Sequence, residues 1–312
     1  MSDVVIRPAA SAAREAADAQ ARRAARMRRL LQSVVTTTIG LVIFVGLTFP
    51  ILWLLNTSFK ADTDAWAMPP QYIPVRPTLE KYTALLSGMA GQSATRELQY
   101  WYLYVLNSLY VSLVPAILAT IIGTLAGYGF ARFRFPGASA MLTLLLIGQM
   151  FPGPSLFVPI YFMVNRLGLQ DSHTALLIIY TAFHVPAATW LASGFIRTIP
   201  RELEEAARID GCSLFQVLIF IVVPLARIGI VTVGILGFMA FWGEYGFASI
   251  ILETQTNYTA TIGLVRQMTE LTTSFNTIGA AAVMMGLPLL LFLMLVQRQF
   301  VRGLASGAVK DV

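Results

Sequence analysis

The sequence predicts an all-α membrane protein with six transmembrane helices, and three observations point there. Of 312 residues, 56% are hydrophobic and only 12% are charged, whereas soluble domains carry about 25% charged residues. Six apolar stretches, at 30–55, 101–130, 138–164, 174–196, 214–242 and 277–297, each supply the roughly 20 residues that a helix needs to cross the hydrocarbon core. The basic residues divide unequally between the two sides that these spans define.

The first span is too long, and its basic flank too far from residue 1, to read as a secretory signal. The orientation follows from charge. Seven arginines precede the first span (Arg7, Arg14, Arg22, Arg23, Arg26, Arg28, Arg29). Arg132, Arg134, Arg197, Arg201, Arg208, Arg227, Arg298, Arg302 and Lys310 fall on the same side, making 16 basic residues. The other side holds 6: Lys60, Arg76, Lys81, Arg96, Arg166 and Arg266. Both termini and Cys212 are therefore expected in the cytoplasm. Residues 1–29 form a basic tail, readable either as a helix on anionic lipid or as a disordered topogenic segment. In the outer loop 56–100, Pro69, Pro70, Pro74 and Pro77 favour extended chain, and 78–82 restarts a short helix.

Composition also excludes several activities. One cysteine and two histidines leave no multi-cysteine metal site and no histidine-rich one. The +6 net charge accompanies no basic stripe interleaved with aromatics, so nucleic acid is not an expected partner. None of the three lysines follows a glycine, which excludes the phosphate-cradling G-x-x-x-x-G-K-[ST] loop. Any ATP-derived power must come from another subunit. Arg227 is the one charged residue within the six spans. Ion-coupled transporters usually keep ionisable groups inside the membrane, so an ion-coupled secondary transporter is the alternative reading. A membrane-embedded enzyme lacks a nucleophile–base pair. His184, beside Pro186, reads either as a proton carrier or as a buried histidine bonded to a backbone carbonyl.

Span three contains Pro152, Gly153, Pro154 and Pro159, which cannot share one regular helix. Pro115, Pro186, Pro224 and Pro288 interrupt four others. In lipid, such breaks are tolerated where neighbours or a water-filled cavity satisfy the freed backbone groups, so they serve either a polar pathway or packing. Gln149, Pro152, Gly153, Trp242 and Glu244 are the pathway candidates. Gly123, Gly127, Gly129, Gly234 and Gly237 are expected to allow close helix packing.

The cytoplasmic segment 198–216 carries the most information. Pro200 suits a first helical turn, and Glu202, Glu204 and Glu205 complement the helix dipole. Gly211 is placed to end this helix in a left-handed conformation. Ser213 to Gln216 has capping-box spacing, so a second helix begins at once and becomes span five. Leu203, Ala206, Ala207 and Asp210 are expected on one face, with Glu204, Glu205 and Arg208 on the others. Acidic residues suit anionic headgroups poorly, so a protein groove is the better partner.

Glu205-Ala206-Ala207, Gly211, and Ile221-Val222-Val223-Pro224 resemble the EAA loop of ABC-importer permeases, with Val223 in place of the usual leucine. Tyr128-Gly129-Phe130-Ala131-Arg132 and 303–310 are similar to the second permease of maltose-type carbohydrate systems. Trp242-Gly243-Glu244-Tyr245 departs from that branch, which commonly has Trp-Asn-Glu-Phe. The resemblance implies a type I importer fold over 30–302 in a bacterial inner membrane. It implies a homologous permease partner, two ABC ATPase subunits holding ATP-Mg, an extracytoplasmic solute-binding protein, and alternating access. No cofactor is implied for this chain itself. Glu204, Glu205, Ala206, Ala207, Asp210 and Gly211 would form the ATPase-coupling loop. Gly303, Gly307 and Lys310, in a cytoplasmic tail 303–312 whose glycines permit extended backbone, would touch the ATPases.

Overall fold

A computed structural model describes residues 9–87, 100–269 and 274–308, with side chains over 26–87, 100–268 and 274–294. The described residues form helices joined by turns. The chain divides into two units, 1–56 and 57–312.

The first unit is one helix, α1 (Ala9–Ser58, ending just beyond it), without a break at 29–30. Its apolar part, Arg26–Ser58, is long enough to cross a membrane. From Ala9 the basic tail is thus a helical extension of the span. Ala and Arg are strong helix formers and add no breaker before the apolar run.

In the second unit, α2 (Asp62–Ala65) and α3 (Glu80–Ser87) flank the proline-rich loop. The helix α4 (Trp101–Arg132) is followed by α5 (Ala138–Gly148) and α6 (Phe157–Arg166), then α7 (His173–Ile196). Next come α8 (Glu202–Ile209), α9 (Leu214–Val217), a wide π turn (Leu218–Val222) and α10 (Val223–Trp242). The chain closes with α11 (Gly246–Ile251), α12 (Ala260–Thr269) and α13 (Phe275–Ala308).

Among the described residues, five helices are long and apolar enough to span, or six if α5 and α6 form one broken span bent by 89°. The packing of α4 against α7 decides for six. Both helices begin at the same end, where Asn107 donates to the carbonyls of Thr256 and Tyr258, and His173 Nε2 lies 2.8 Å from the Asn257 carbonyl. Both finish at the other end, where Arg132 Nη2 donates to the Ile199 carbonyl at 2.9 Å. Consecutive parallel spans require the chain to recross between them. With 11 and 10 residues, α5 and α6 each cover about 15 Å, half of the core, and so make that crossing together.

The expected small-residue packing holds at four of five positions. A Cβ on Gly123 would lie 2.4 Å from Ala188 Cβ, and one on Gly127 would lie 2.8 Å from the Ser193 nitrogen. A Cβ on Gly237 would meet His184 at 2.7 Å, and one on Gly234 would meet Thr120 at 3.3 Å, while Gly129 faces open space. Pro115, Pro186 and Pro288 do not interrupt their helices, which continue through them. A side chain from α5 helps at Pro186: the exposed Gln149 donates to the Phe183 carbonyl in the turn that the proline weakens. His184 Nε2 lies 3.2 Å from the Val233 carbonyl of α10.

The end opposite α8 is closed by a clasp. Asp171, at φ 53°, accepts the amide protons of Glu253 at 2.8 Å and Thr254 at 3.0 Å, and the Thr254 hydroxyl proton. Burial raises the Asp171 carboxyl, but these donors outweigh it and hold the group below the usual carboxylate range. Nearby, Asn276 donates to the Lys60 carbonyl at 2.8 Å and to Asp62, which pairs with Lys81 at 2.9 Å.

The C-terminal tail differs from expectation. Helix α13 continues through Ala308, so Gly303 and Gly307 are helical rather than extended, while Lys310 lies outside the described residues. Glycine only weakens a helix interior, and neither residue ends this one.

Candidate functional site

The chain reaches α8 through Ile199 and Pro200, and the helix starts two residues after the proline, at Glu202. Asp210 ends it, and Gly211 at φ 92° turns the backbone through the left-handed region. Its amide donates to the Arg208 carbonyl at 3.1 Å, and the next amide, of Cys212, donates to Ala207 at 3.0 Å. The capping box then forms as expected: Ser213 Oγ accepts from the Gln216 amide, and Gln216 Oε1 accepts from the Ser213 amide at 2.7 Å. The short helix, the sharp turn and the long helix are therefore joined by local hydrogen bonds with no slack residues.

The face of Leu203, Ala206 and Asp210 is open, as docking in a partner's groove requires, and a different residue turns inward. Ala207 is buried, but Leu203, Ala206 and Asp210 are exposed, and Glu204 is turned inward at 7% exposure. Its carboxylate takes Arg132 Nε at 2.6 Å and the Tyr128 hydroxyl at 3.1 Å. Tyr128 and Arg132 are four residues apart on the last turns of α4, hence on one face. The ion pair sits over an apolar cluster that includes Ile196, Val217, Val222 and Ala226. A buried carboxylate needs a matched cation and further donors, and the end of α4 supplies both. Arg197 and Arg201 add bonds to the Phe130 and Ala131 carbonyls at 3.3 Å, which caps α4.

The result is a helix riveted to the ends of α4 and α7 by one face and open on the other. The open face carries Glu205, Ala206, Asp210 and Gly211, beside Leu203 and the 86% exposed Ile209. An acidic, small-residue face with exposed apolar neighbours suits a protein groove. Sequence reasoning set Glu204 on a different face from Leu203, Ala206 and Asp210 and counted it in the coupling loop, without finding its inward partners. The signal that would have placed it inward is the four-residue spacing of Tyr128 and Arg132.

The pathway candidates separate. Gln149 ends α5, and Pro152 and Gly153 form the bend before α6. Glu244 approaches the same region: its carboxylate accepts from the Tyr180 hydroxyl at 2.5 Å and from the Phe247 and Ala248 amides. It thereby starts α11, whose Phe247 ring packs on Phe157 of α6 at 5.0 Å. Trp242 is instead buried against Phe238 in the core. Among the described residues, no cluster of three His, Cys, Asp or Glu is placed to hold a metal.

Comparison with known proteins gives a consistent result. The family model described as "Binding-protein-dependent transport system inner membrane component" matches residues 119–306. The chain is 33% identical over 272 residues to the inner membrane ABC transporter permease protein YcjP of Escherichia coli K12, covering 87% of this chain and 94% of that one. It is 32% identical to the galactooligosaccharides transport system permease protein GanQ of Bacillus subtilis, covering 91% and 98%. It is also 32% identical to the trehalose transport system permease protein SugB of Mycobacterium tuberculosis, covering 84% and 92%. A chain from the crystal structure of a bacterial ABC transporter involved in importing the acidic polysaccharide alginate shares the fold. Its TM-score is 0.73 at 19% identity, covering 86% of this chain and 96% of that one.

Proposed function

Because this chain belongs to the family of binding-protein-dependent transport system inner membrane components, we propose that it forms half of the sugar passage of an ATP-driven importer. The observation that carries this reading is α8: a short helix outside the spans, fixed to them by Glu204 and presenting Glu205, Ala206, Asp210 and Gly211 outward. Sugar as cargo is supported by relatives whose names specify galactooligosaccharides and trehalose.

In this mechanism α8 docks in a groove on one of two ATPase subunits, with Glu205 against a basic residue there. Closure of the ATPase dimer around ATP-Mg moves α8 as a lever. The buried ion pair passes that motion to α4, and the Gly211 turn passes it to α9 and α10. The spans then alternate between inward- and outward-facing states, a two-state rigid-element transition. A homologous permease completes the passage, and a solute-binding protein delivers sugar on the Asp171 side. The charge bias supports a cytoplasmic position for α8, Cys212 and both termini. The end of α13, with Gly303 and Gly307, adds a second ATPase contact in helical form, and Lys310 belongs to the same contact.

The test is purification of the chain with its neighbours, followed by ATPase assays with the binding protein and a panel of sugars. The reading requires an ATPase in fixed stoichiometry and stimulation by one sugar class. Purification without an ATPase, with uptake driven by an ion gradient, would instead establish a secondary transporter.

A further inference from the structure

Beside the rivet, the end of α4, the turn at 133–137, the first turns of α5 and the segment after α7 border an open cavity of about 510 Å³. Four arginines line it: Arg132, Arg134, Arg197 and Arg201. Glu204 neutralises the first. The other three meet no carboxylate, because no residue lining the cavity is acidic, and the ion pairs among the described residues are Arg132–Glu204 and Lys81–Asp62. Arg197 and Arg201 each give one proton to a main-chain carbonyl, leaving most of the five donors of each guanidinium unused. Arg134, Arg197 and Arg201 are exposed, so water screens their mutual repulsion, and an anion that joins them removes what remains.

The remaining wall is apolar except for Ser139 and includes Phe133, Phe135 and Leu142. Phe133 and Phe135 are 49% and 38% exposed. A free hydrophilic anion would gain nothing from that wall. An amphipathic anion would use both parts, and the cavity lies where such molecules are found, at the foot of two apolar spans. Basic pockets at this depth suit anionic headgroups.

We propose that this cavity binds the phosphodiester headgroup of an anionic phospholipid. Arg134, Arg197 and Arg201 hold the phosphate, and Phe135 and Leu142 receive the first part of an acyl chain. Arg201 directly precedes α8, so the bound phosphate bridges the α4–α5 turn to the start of the lever. This assignment is independent of the cargo.

The test uses the intact complex extracted in mild detergent and native mass spectrometry for retained phosphatidylglycerol. The parent should carry it. The triple variant Arg134→Gln/Arg197→Gln/Arg201→Gln should lose it by roughly tenfold or more, the scale of lost charge-assisted hydrogen bonds. Arg166→Gln, far from the cavity, should not. Inorganic phosphate should fail to displace the lipid; displacement would show a free-anion site and overturn the proposal. Equal lipid on the triple variant would also overturn it, as would loss of the ATPase from that variant with lipid retained, which marks a protein contact. If the triple variant does not insert, photoactivatable phosphatidylglycerol on the parent decides: crosslinks within 130–142 support the site, and crosslinks only elsewhere refute it.

Discussion

Arg132 and Glu204 meet at 2.6 Å, Nε to Oε1, with 8% and 9% of their side chains exposed. The pair spans 72 residues of sequence and joins the lever to a span that it does not directly follow. Glu204→Gln should leave the guanidinium buried without a counter-charge. Breaking such a pair costs about 3–5 kcal/mol. The purified complex should unfold at lower temperature and lose sugar uptake in proteoliposomes, and the exchange Glu204→Arg/Arg132→Glu should recover part of both. Parental behaviour of Glu204→Gln in both assays would show the pair to be idle.

Gly211 has no heavy atom within 4 Å of where a Cβ would lie, so a substitution there is penalised by φ alone. Left-handed backbone costs a residue with a side chain roughly 1–2 kcal/mol, and a β-branched one more. Gly211→Val should insert but lose transport, with α8 tilted out of the proposed ATPase groove. Gly211→Asn, which tolerates this region, should retain most of it.

Glu205→Lys tests the groove itself. It leaves the turn intact and puts like charge against the basic residue proposed in the ATPase groove, an exchange that can carry several kcal/mol. Assembly on a tagged ATPase should fall, and an acidic substitution on the ATPase should restore it. No ATPase substitution should rescue Gly211→Val. Normal assembly and uptake by both variants would remove α8 from the coupling route.

Gly127 and Gly129 are two residues apart and should respond oppositely. Gly127→Ala forces a Cβ to 2.8 Å from the Ser193 nitrogen, while Gly129→Ala meets nothing. Overpacking costs about 1–3 kcal/mol. Melting of the detergent-purified protein should drop for the first and hold for the second.

The Asp171 clasp predicts a pH dependence. Its folded carboxyl is held below the usual value of 3.8, so the unfolded state binds the proton more readily. The stabilisation is complete above the unfolded value and is lost as pH falls through the folded one. Asp171→Asn should melt lower at neutral pH than the parent, and the gap should close in acid. A gap that is unchanged in acid would remove the carboxylate as its cause.

Cys212 gives a direct reading of orientation. It is half-buried beside the turn and is the protein's sole cysteine. A membrane-impermeant maleimide should label it in inside-out vesicles and not in sealed cells. The reverse pattern would invert the topology.

Hydropathy made the spans legible because lipid forces backbone bonds to close within each helix. The α8–Gly211–α9 turn was legible because caps are local chemistry. The buried face of α8 was not. An eight-residue helix with two alanines has no decisive apolar stripe, and its orientation is chosen by Arg132 and Tyr128, far away in sequence. The Asp171 clasp was hidden for the same reason: its donors lie 82 and 83 residues on. The helical path through Gly303 and Gly307 was misread because glycine permits extension without requiring it.

The π turn at Leu218–Val222 sets the phase of everything after it. The Val223 amide reaches back five residues to the Leu218 carbonyl, widening the turn just before the ring of Pro224. One surplus residue in a turn rotates the following side chains by about 100°, the angular step of an α-helix. It is that rotation which brings Val233 and Gly237 of α10 against His184 of α7. Deleting a single residue within 218–222 would leave the span long enough to cross the membrane and every cap in place. It would nonetheless act as a twist, sweeping the Gly237 notch off the imidazole and presenting a different stripe of α10 to its neighbours.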